Sequence, residues 1–249
     1  VAQLASEPED QPLIDAVTVR RGFEAALGAA FGEDLDHPAE DGAAIHWSMV
    51  APDAAVRLDD PGRAYVSRAA LKLKAALDRF GLSPQGRLAL DVGASTGGFT
   101  DVLLRAGARH LVAVDVGRGQ FHHSLAGDPR VTSLEAQDAR TLTARLVGEA
   151  PTLLVCDASF IALEKLLAVP LSLADRAAEF VGLFKPQFQV GREYVGKGGL
   201  VTDTEASDRA AEAFAIWMAG QGWPIRAWTD SPITGGDGNA ERLFHAVRA

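Results

Sequence analysis

Apolar residues along the chain fall into short runs, separated by glycine, proline and charge clusters, and the runs follow two different periods. Over 65–80 (YVSRAALKLKAALDRF), Ala69, Leu73, Leu77 and Phe80 recur at three- and four-residue spacing. This predicts a helix with one buried face, closed by Gly81. LALDV, at 88–92, is a continuous apolar run too short for a helix and reads as a buried strand. A turn containing Gly93, Ser95, Thr96, Gly97 and Gly98 follows, and the pattern then becomes helical through Phe99, Val102, Leu103 and Ala106. Further strand-like runs cover 110–116, 131–134, 152–157 and 179–184, and a helix is expected over 205–221 with Phe214, Trp217 and Met218. Two late strands, 225–229 and 242–247, close the pattern. Strands alternating with helical crossovers predict an α/β fold, a mostly parallel seven-stranded sheet with helices on both faces.

The first quarter of the chain does not fit this rhythm. Residues 1–11 are polar and acidic, LIDAVTV reads as a strand, GFEAALGAAFG as an alanine-rich helix and IHWSMV as a short strand. Composition shifts at Asp59-Asp60-Pro61-Gly62, dividing an atypical segment, 1–60, from an α/β domain, 61–249. Charge divides at the same place. The chain carries a net −9, and residues 1–60 alone hold three arginines (Arg20, Arg21, Arg57) against 13 acids, a net of −10. The remaining 21 bases and 20 acids leave the larger domain at +1. A near-neutral domain of this kind permits a local basic patch for a polyanion. No apolar run approaches the roughly 20 residues of a membrane span. A single cysteine, Cys156, and the lack of a secretory leader pattern suit a reducing, cytoplasmic setting. His122-His123 lacks partners at ligand spacing, so no metal is expected.

The candidate chemistry lies at the carboxyl ends of the expected strands, where open parallel sheets gather their ligands. Strand, glycine-rich turn and helix around 88–106 suit a nucleotide-like ligand, because glycine lets backbone approach it closely. Asp115, ending the next strand about 24 residues after Asp91, is placed to bond both hydroxyls of a ribose. Asp157 ends LLVCD, Lys185 ends EFVGLF, Glu241 opens the last strand after ITGGDGN, and Lys72 lies one step from the apolar face of the first helix. A lysine beside carboxylates at a partly buried site can serve as a base. The loop 189–202, with four glycines beside Arg192 and Lys197, reads as a substrate-side lid. The turn does not fit G-x-G-x-x-G. Gly93-Ala94-Ser95-Thr96-Gly97 does match the G-x-S-x-G elbow of serine hydrolases, with Asp157 and His245 following in hydrolase order, so Ser95 as a nucleophile remains an alternative.

From 61 to 248, the segments YVSRAALKL, LDVGASTGGFTDVLL, VAVDVGRGQ, CDASFI, KPQF, VGKGG and SPITGGDGN resemble, in order, the FtsJ-type domain of the TlyA or hemolysin-A-like family. Members are RNA 2′-O-ribose methyltransferases that use S-adenosylmethionine. The resemblance implies a Rossmann-like class I methyltransferase sheet, a ribosomal RNA partner, no metal requirement and a catalytic tetrad on Lys72, Asp157, Lys185 and Glu241. Lys185 would assist deprotonation of the 2′-hydroxyl, Asp157 would hold it near the sulfonium, and Lys72 and Glu241 would orient the tetrad and the ribose. Asp91, Gly93, Ser95, Thr96, Gly97, Gly98 and Phe99 would belong to the cofactor site, with Gly93, Ser95 and Gly97 lining its methionine end, Asp115 on the ribose and Asp138 on the adenine amino group. Two departures stand out. Relatives begin with a basic S4-type domain where this chain has an acidic segment, and they read SRGG at Ser67-Arg68-Ala69-Ala70. The acidic segment motivates a second reading, a methyltransferase-like interaction protein that docks a partner through residues 1–60. That segment also carries its own resemblance: 12–48 is similar to a piece flanking the hinge of SMC-type chromosome-maintenance ATPases.

Overall fold

The computed structural model describes residues 64–249, together with two short strands, Gln3–Leu4 and Val17–Thr18, paired antiparallel. The chain divides into two units, Val1–Pro61 and Gly62–Ala249. Val17–Thr18 falls within the expected LIDAVTV strand. The alanine-rich helix, the IHWSMV strand and most of the SMC-like stretch lie outside the described residues.

In the larger unit, seven strands form one sheet: β1 (Leu88–Val92), β2 (His110–Val114), β3 (Val131–Leu134), β4 (Leu153–Cys156), β5 (Glu179–Phe184), β6 (Ile225–Asp230) and β7 (Arg242–Val247). Their order is β3-β2-β1-β4-β5-β7-β6. The five strands from β3 to β5 pair in parallel, and β7 runs antiparallel between β5 and β6. The chain therefore leaves β1 toward one edge and returns through β4 toward the other. A crevice opens between β1 and β4 at their carboxyl ends, where ligands of open α/β sheets bind.

Strand alternation gives the sheet two apolar faces. Leu90 and Val92 of β1, with Leu154, Cys156, Phe180 and Phe244, face α5 (Leu163–Leu173) and α6 (Thr204–Gly220). Trp223 is buried in that layer, and Trp217 and Trp228 pack against it, so the tryptophans serve the core. Ala89, Leu111, Val155 and Leu183 face the opposite way, against α1 (Ala69–Phe80) and α2 (Gly98–Arg105). Asp91 shares the parity of Ala89, so its carboxylate enters the α1–α2 layer.

Helix α1 starts at Ala69, four residues later than the periodicity predicts. The reason lies on α2. Val66 N–H donates to the buried Asp101 carboxylate at 3.0 Å, and Arg105, paired with Asp101, lies 4.7 Å over the Tyr65 ring. These contacts hold 65–66 out of the helix. Gly81 closes α1 in the left-handed region, φ +67°. At the start of α1, Ser67, Ala69 and Ala70 press on Gly98 of α2: a Cβ there would lie 3.3 Å from Ala69 Cβ and 3.2 Å from Ala70 N, and would collide with Ser67 Oγ, so α2 opens with a glycine. Strand β2 stops at Val114 and β4 at Cys156, short of the expected ends, because Asp115 and Asp157 turn into the crevice. Asp157 is not a helix N-cap either, since α5 begins only at Leu163.

Candidate active site

The register brings the glycine turn against the strand-end acid. Val92 pairs with Cys156, and Asp157 N–H donates to Val92 C=O at 3.2 Å. Gly93 follows Val92 with φ +81°, and a Cβ on it would lie 2.9 Å from Ala158 Cα. Turn and Asp157 segment therefore pass at backbone contact, which only glycine allows. Gly97, φ +96°, is equally constrained, since a Cβ would meet Leu125 and the Phe121 ring. The turn is fixed from the β2 side, where Val114 C=O accepts from Gly93 N–H and Ala94 N–H. His122 N–H donates to Thr96 C=O, and Phe99 is buried behind the turn in the α1–α2 layer.

Asp115 already accepts two backbone bonds, from Ser95 N–H at 2.8 Å and Gly117 N–H at 2.7 Å. Each oxygen retains a second acceptor site for a hydroxyl, and the backbone bonds fix the carboxylate plane. Val116 beside it is 69% exposed, an apolar surface next to this carboxylate. Asp138 sits in the neighbouring loop, brought there by Gln137 N–H donating to Asp115 C=O. Its carboxylate is committed to Arg140, through the backbone N–H at 2.8 Å and the guanidinium at 2.6 Å, and this contact holds it below the usual carboxylate range. An adenine contact at Asp138 would share an oxygen with Arg140.

Asp91 is fully buried. Thr100 hydroxyl donates to Oδ2 at 2.7 Å, while Oδ1 has no hydrogen-bond partner. Burial raises its pKa to about 7, with nearby Asp157 and Asp115 adding to the shift and the Thr100 bond opposing it. A buried, half-satisfied carboxyl beside a glycine turn is costly unless a ligand completes it.

The four tetrad candidates form two ion pairs. Lys72, on the buried face of α1, reaches Glu241 Oε2 at 2.6 Å. Lys185 Nζ lies 2.6 Å from Asp157 Oδ1. The antiparallel register explains their position: Phe184 pairs with Arg242, so Lys185 and Glu241 stand one step further at the same end of β5 and β7. Asp157 Oδ1 is held to Lys185 by this ion pair, and Lys185 Nζ also donates to Ser159 Oγ at 2.8 Å. Side chains of both pairs are 13% exposed or less. Buried pairs seldom stabilise a fold beyond an apolar replacement, so their presence points to chemistry.

Three neighbours escaped the sequence reading as site residues. Ser159 is one. Phe160 is another: it has φ +66°, is 90% exposed, and its ring lies 5.3 Å from that of Phe188. A bulky residue in the left-handed region is strained, and an exposed one has no packing reason to be there. Asn239 is the third and is almost fully buried. Its amide donates to Gly199 C=O at 3.0 Å and accepts from Val201 N–H at 2.9 Å, tying the 189–202 loop to the segment that carries Glu241. CDASF and GDGN flank the recognised acids, which was the available signal.

Ser95 is not placed as a nucleophile. His245 Nε2 donates to the carboxylate of Glu179, the first residue of β5, at 3.1 Å and pairs with Val181. Lys185 lies beyond the other end of that strand, four residues from Val181 and about 13 Å away at roughly 3.3 Å per residue, on the side where Asp157 follows β4. The hydrolase triad cannot assemble, because a parallel sheet separates its two ends. His122 and His123 stack on one another at 4.4 Å, with His122 Nδ1 on Ser124.

The family model for FtsJ-like methyltransferase matches residues 65–248. The chain belongs to the FtsJ-like methyltransferase family. Within it, the chain is 47% identical over 182 residues to the 16S/23S rRNA (cytidine-2′-O)-methyltransferase TlyA of Mycobacterium tuberculosis, covering 73% of this chain and 68% of that protein. A solved structure of a hemolysin-like protein from Lactococcus lactis superposes with a TM-score of 0.72 at 38% identity, covering 74% of this chain and 89% of that one. A stretch of 50 residues, 20% of the chain, is 42% identical to the chromosome partition protein Smc of Rhodopseudomonas palustris and covers 4% of that protein. The seven-stranded, mostly parallel sheet shares its fold with solved methyltransferase structures.

Proposed function

We propose that this FtsJ-like chain transfers a methyl group from S-adenosylmethionine to a ribose 2′-hydroxyl of RNA, with ribosomal RNA as the substrate class. The observation that carries this reading is the pair of buried ion pairs, Lys72–Glu241 and Asp157–Lys185, at the strand ends beside the glycine turn. The 2′-O-methylation named for the relatives needs only positioning and the removal of one proton, and these residues suit both tasks.

The cofactor fits on two counts. The turn at Gly93 and Gly97, held in left-handed backbone with no room for a side chain, places its N–H groups beside Asp115, and Asp91 Oδ1 is an unsatisfied acceptor suited to a cationic ligand. Bound there, S-adenosylmethionine supplies an electrophilic methyl group on a sulfonium. Asp115 holds the ribose hydroxyls, with Val116 as an apolar surface beside them. Asp157, between the turn and Lys185, offers negative charge to the sulfonium and keeps Lys185 in place. Lys185 accepts the 2′-hydroxyl proton. Glu241, fixed by Lys72, orients the target ribose. Asp115→Ala is expected to weaken S-adenosylmethionine binding at least tenfold by calorimetry; an unchanged Kd would remove the cofactor placement.

Substrate RNA has a ready contact in Phe160. An exposed, strained ring backed by Phe188, three residues from Asp157, is a platform for the target base. Base–aromatic stacking contributes about 1–3 kcal/mol per base, so Phe160→Ala should raise the RNA KM roughly 5- to 150-fold and leave cofactor affinity unchanged. Equal KM values would sink the platform. The whole reading is tested by incubating rRNA with the chain and isotope-labelled S-adenosylmethionine, then digesting it and analysing nucleosides by mass spectrometry. A ribose-methylated nucleoside is expected. Label on a base, or none, would overturn the assignment.

A further inference from the structure

We propose that Ser159, which lies outside the tetrad, is a positioning residue that aims Lys185 at the 2′-hydroxyl and carries the abstracted proton to solvent. This rests on the methyl-transfer reading above. Lys185 Nζ lies 2.6 Å from Asp157 Oδ1 in an ion pair and donates to Ser159 Oγ at 2.8 Å. One contact leaves the amine free to turn about it, whereas two on the same nitrogen fix its direction, and among the described residues Ser159 supplies the second.

The geometry of a tetrahedral nitrogen gives this bond its consequence. In the neutral amine that must accept a proton, one vertex is Cε and one N–H is committed to Ser159. Asp157 draws the second N–H to its side. The lone pair is left at the fourth vertex, where the nucleophile has to arrive. Without Ser159 only the Asp157 contact holds Nζ, and the lone pair shares the two remaining vertices instead of occupying one. Exposure adds the second role. Lys185 is buried whereas Ser159 is exposed, so its hydroxyl joins the amine to bulk water.

The proton balance is simple. The 2′-oxygen forms its bond to the methyl carbon as the carbon–sulfur bond breaks, and the sulfur leaves as a neutral thioether. The hydroxyl proton passes to Lys185 Nζ. An ammonium proton then passes to Ser159 Oγ as the serine proton passes to water, so one proton is released for each methyl transferred.

The test uses the full chain with three variants, Ser159→Ala, Ser159→Cys and Ser159→Thr, read by kcat, RNA KM and S-adenosylmethionine Kd. A lost hydrogen bond to a charged group corresponds to roughly a 10- to 100-fold effect. That loss is expected in kcat for Ala and Cys, with KM and Kd within twofold, while Thr restores activity. A purely structural role would treat Cys, close to Ser in size, like the parent. An unchanged kcat in Ala, a defect confined to KM, or failure of Thr to rescue would each overturn the proposal. A second readout is independent of activity. The side-chain spectrum of ¹⁵N-lysine-labelled protein should contain a Lys185 signal, identified by its loss in Lys185→Ala, that shifts or broadens in Ser159→Ala and survives in Ser159→Thr. A wild-type chain that leaves rRNA unmethylated would remove the function reading, and this spectrum would still decide whether Ser159 holds the amine.

Discussion

Replacing Lys185 by alanine is expected to reduce methyl transfer by roughly 10²- to 10⁴-fold, the contribution of a positioned general base, while S-adenosylmethionine binds as before. The separation of effects follows from the sheet. Lys185 stands beyond β5, and the cofactor elements lie on β1, its turn and β2. Alanine therefore removes the proton acceptor without touching Asp115, Gly93 or Gly97. It also leaves Asp157 Oδ1 buried without its counter-charge, which adds a structural cost at that one carboxylate. Single-turnover transfer of labelled methyl, paired with calorimetric cofactor binding, checks both halves. Retention of more than a tenth of the activity would refute Lys185 as the base, and a large change in cofactor Kd would move it into the cofactor site.

The second large effect concerns Asp91. Its pKa of about 7 when folded, against 3.8 for the ordinary carboxyl, means that the folded protein holds a proton between those values which the unfolded chain has lost. The folded state binds more protons across that window, so this group's contribution to stability falls as pH rises from about 4 to 7. Three pH units correspond to about 4 kcal/mol at most. Asp91→Asn carries no charge at any pH. The variant should therefore unfold at a higher temperature than the parent at pH 8, with the gap closing toward pH 5.

Binding runs the other way. A cationic ligand at Oδ1 favours the ionised carboxylate, so parent affinity for S-adenosylmethionine should rise as pH increases from 5.5 to 7.5, up to tenfold per unit below the pKa. The asparagine variant should bind more weakly, with a flat profile over that range. Asp157 and Asp115, which also act on Asp91, are unchanged in both proteins, so the difference between the two profiles isolates Asp91. Thermal denaturation and calorimetry at matched pH values decide the point. A flat parent profile, or a variant less stable than the parent at pH 8, would overturn it.

Much of the larger unit was readable in the sequence because its signals are local. Short apolar or mixed runs marked all seven strands of the sheet, and the acids and the lysine that follow β2, β4 and β5 stood out because a charge closing an apolar run needs a reason. Lys72 and Glu241 said little individually; 169 residues separate them, and only the packing of α1 on the sheet makes them a pair. Tyr65 and Val66 misled for the complementary reason. Their spacing is helical, but a long-range bond to Asp101 outweighs local periodicity. His245 and Ser95 matched a hydrolase pattern in order alone, since chain order carries no information about which end of a strand a residue occupies. CDASF placed Phe160 beside Asp157 in sequence but not its role, because nothing in it distinguishes a ring that packs inward from one held outward by a left-handed backbone.

Asn239 gives the catalytic end an unusual form of cooperativity. Its side chain behaves like an extra peptide unit, pairing with Gly199 and Val201 across a gap where no sheet continues, and its own carbonyl accepts from Gly235 N–H. Gly235 in turn lies against Glu241 Oε1, with room there for no side chain. Opening of the 199–201 segment therefore orphans a buried amide two residues from Glu241. Order in the 199–201 segment and order of the Lys72–Glu241 pair are expected to be lost together on local opening, as one unit where the chain order suggests two.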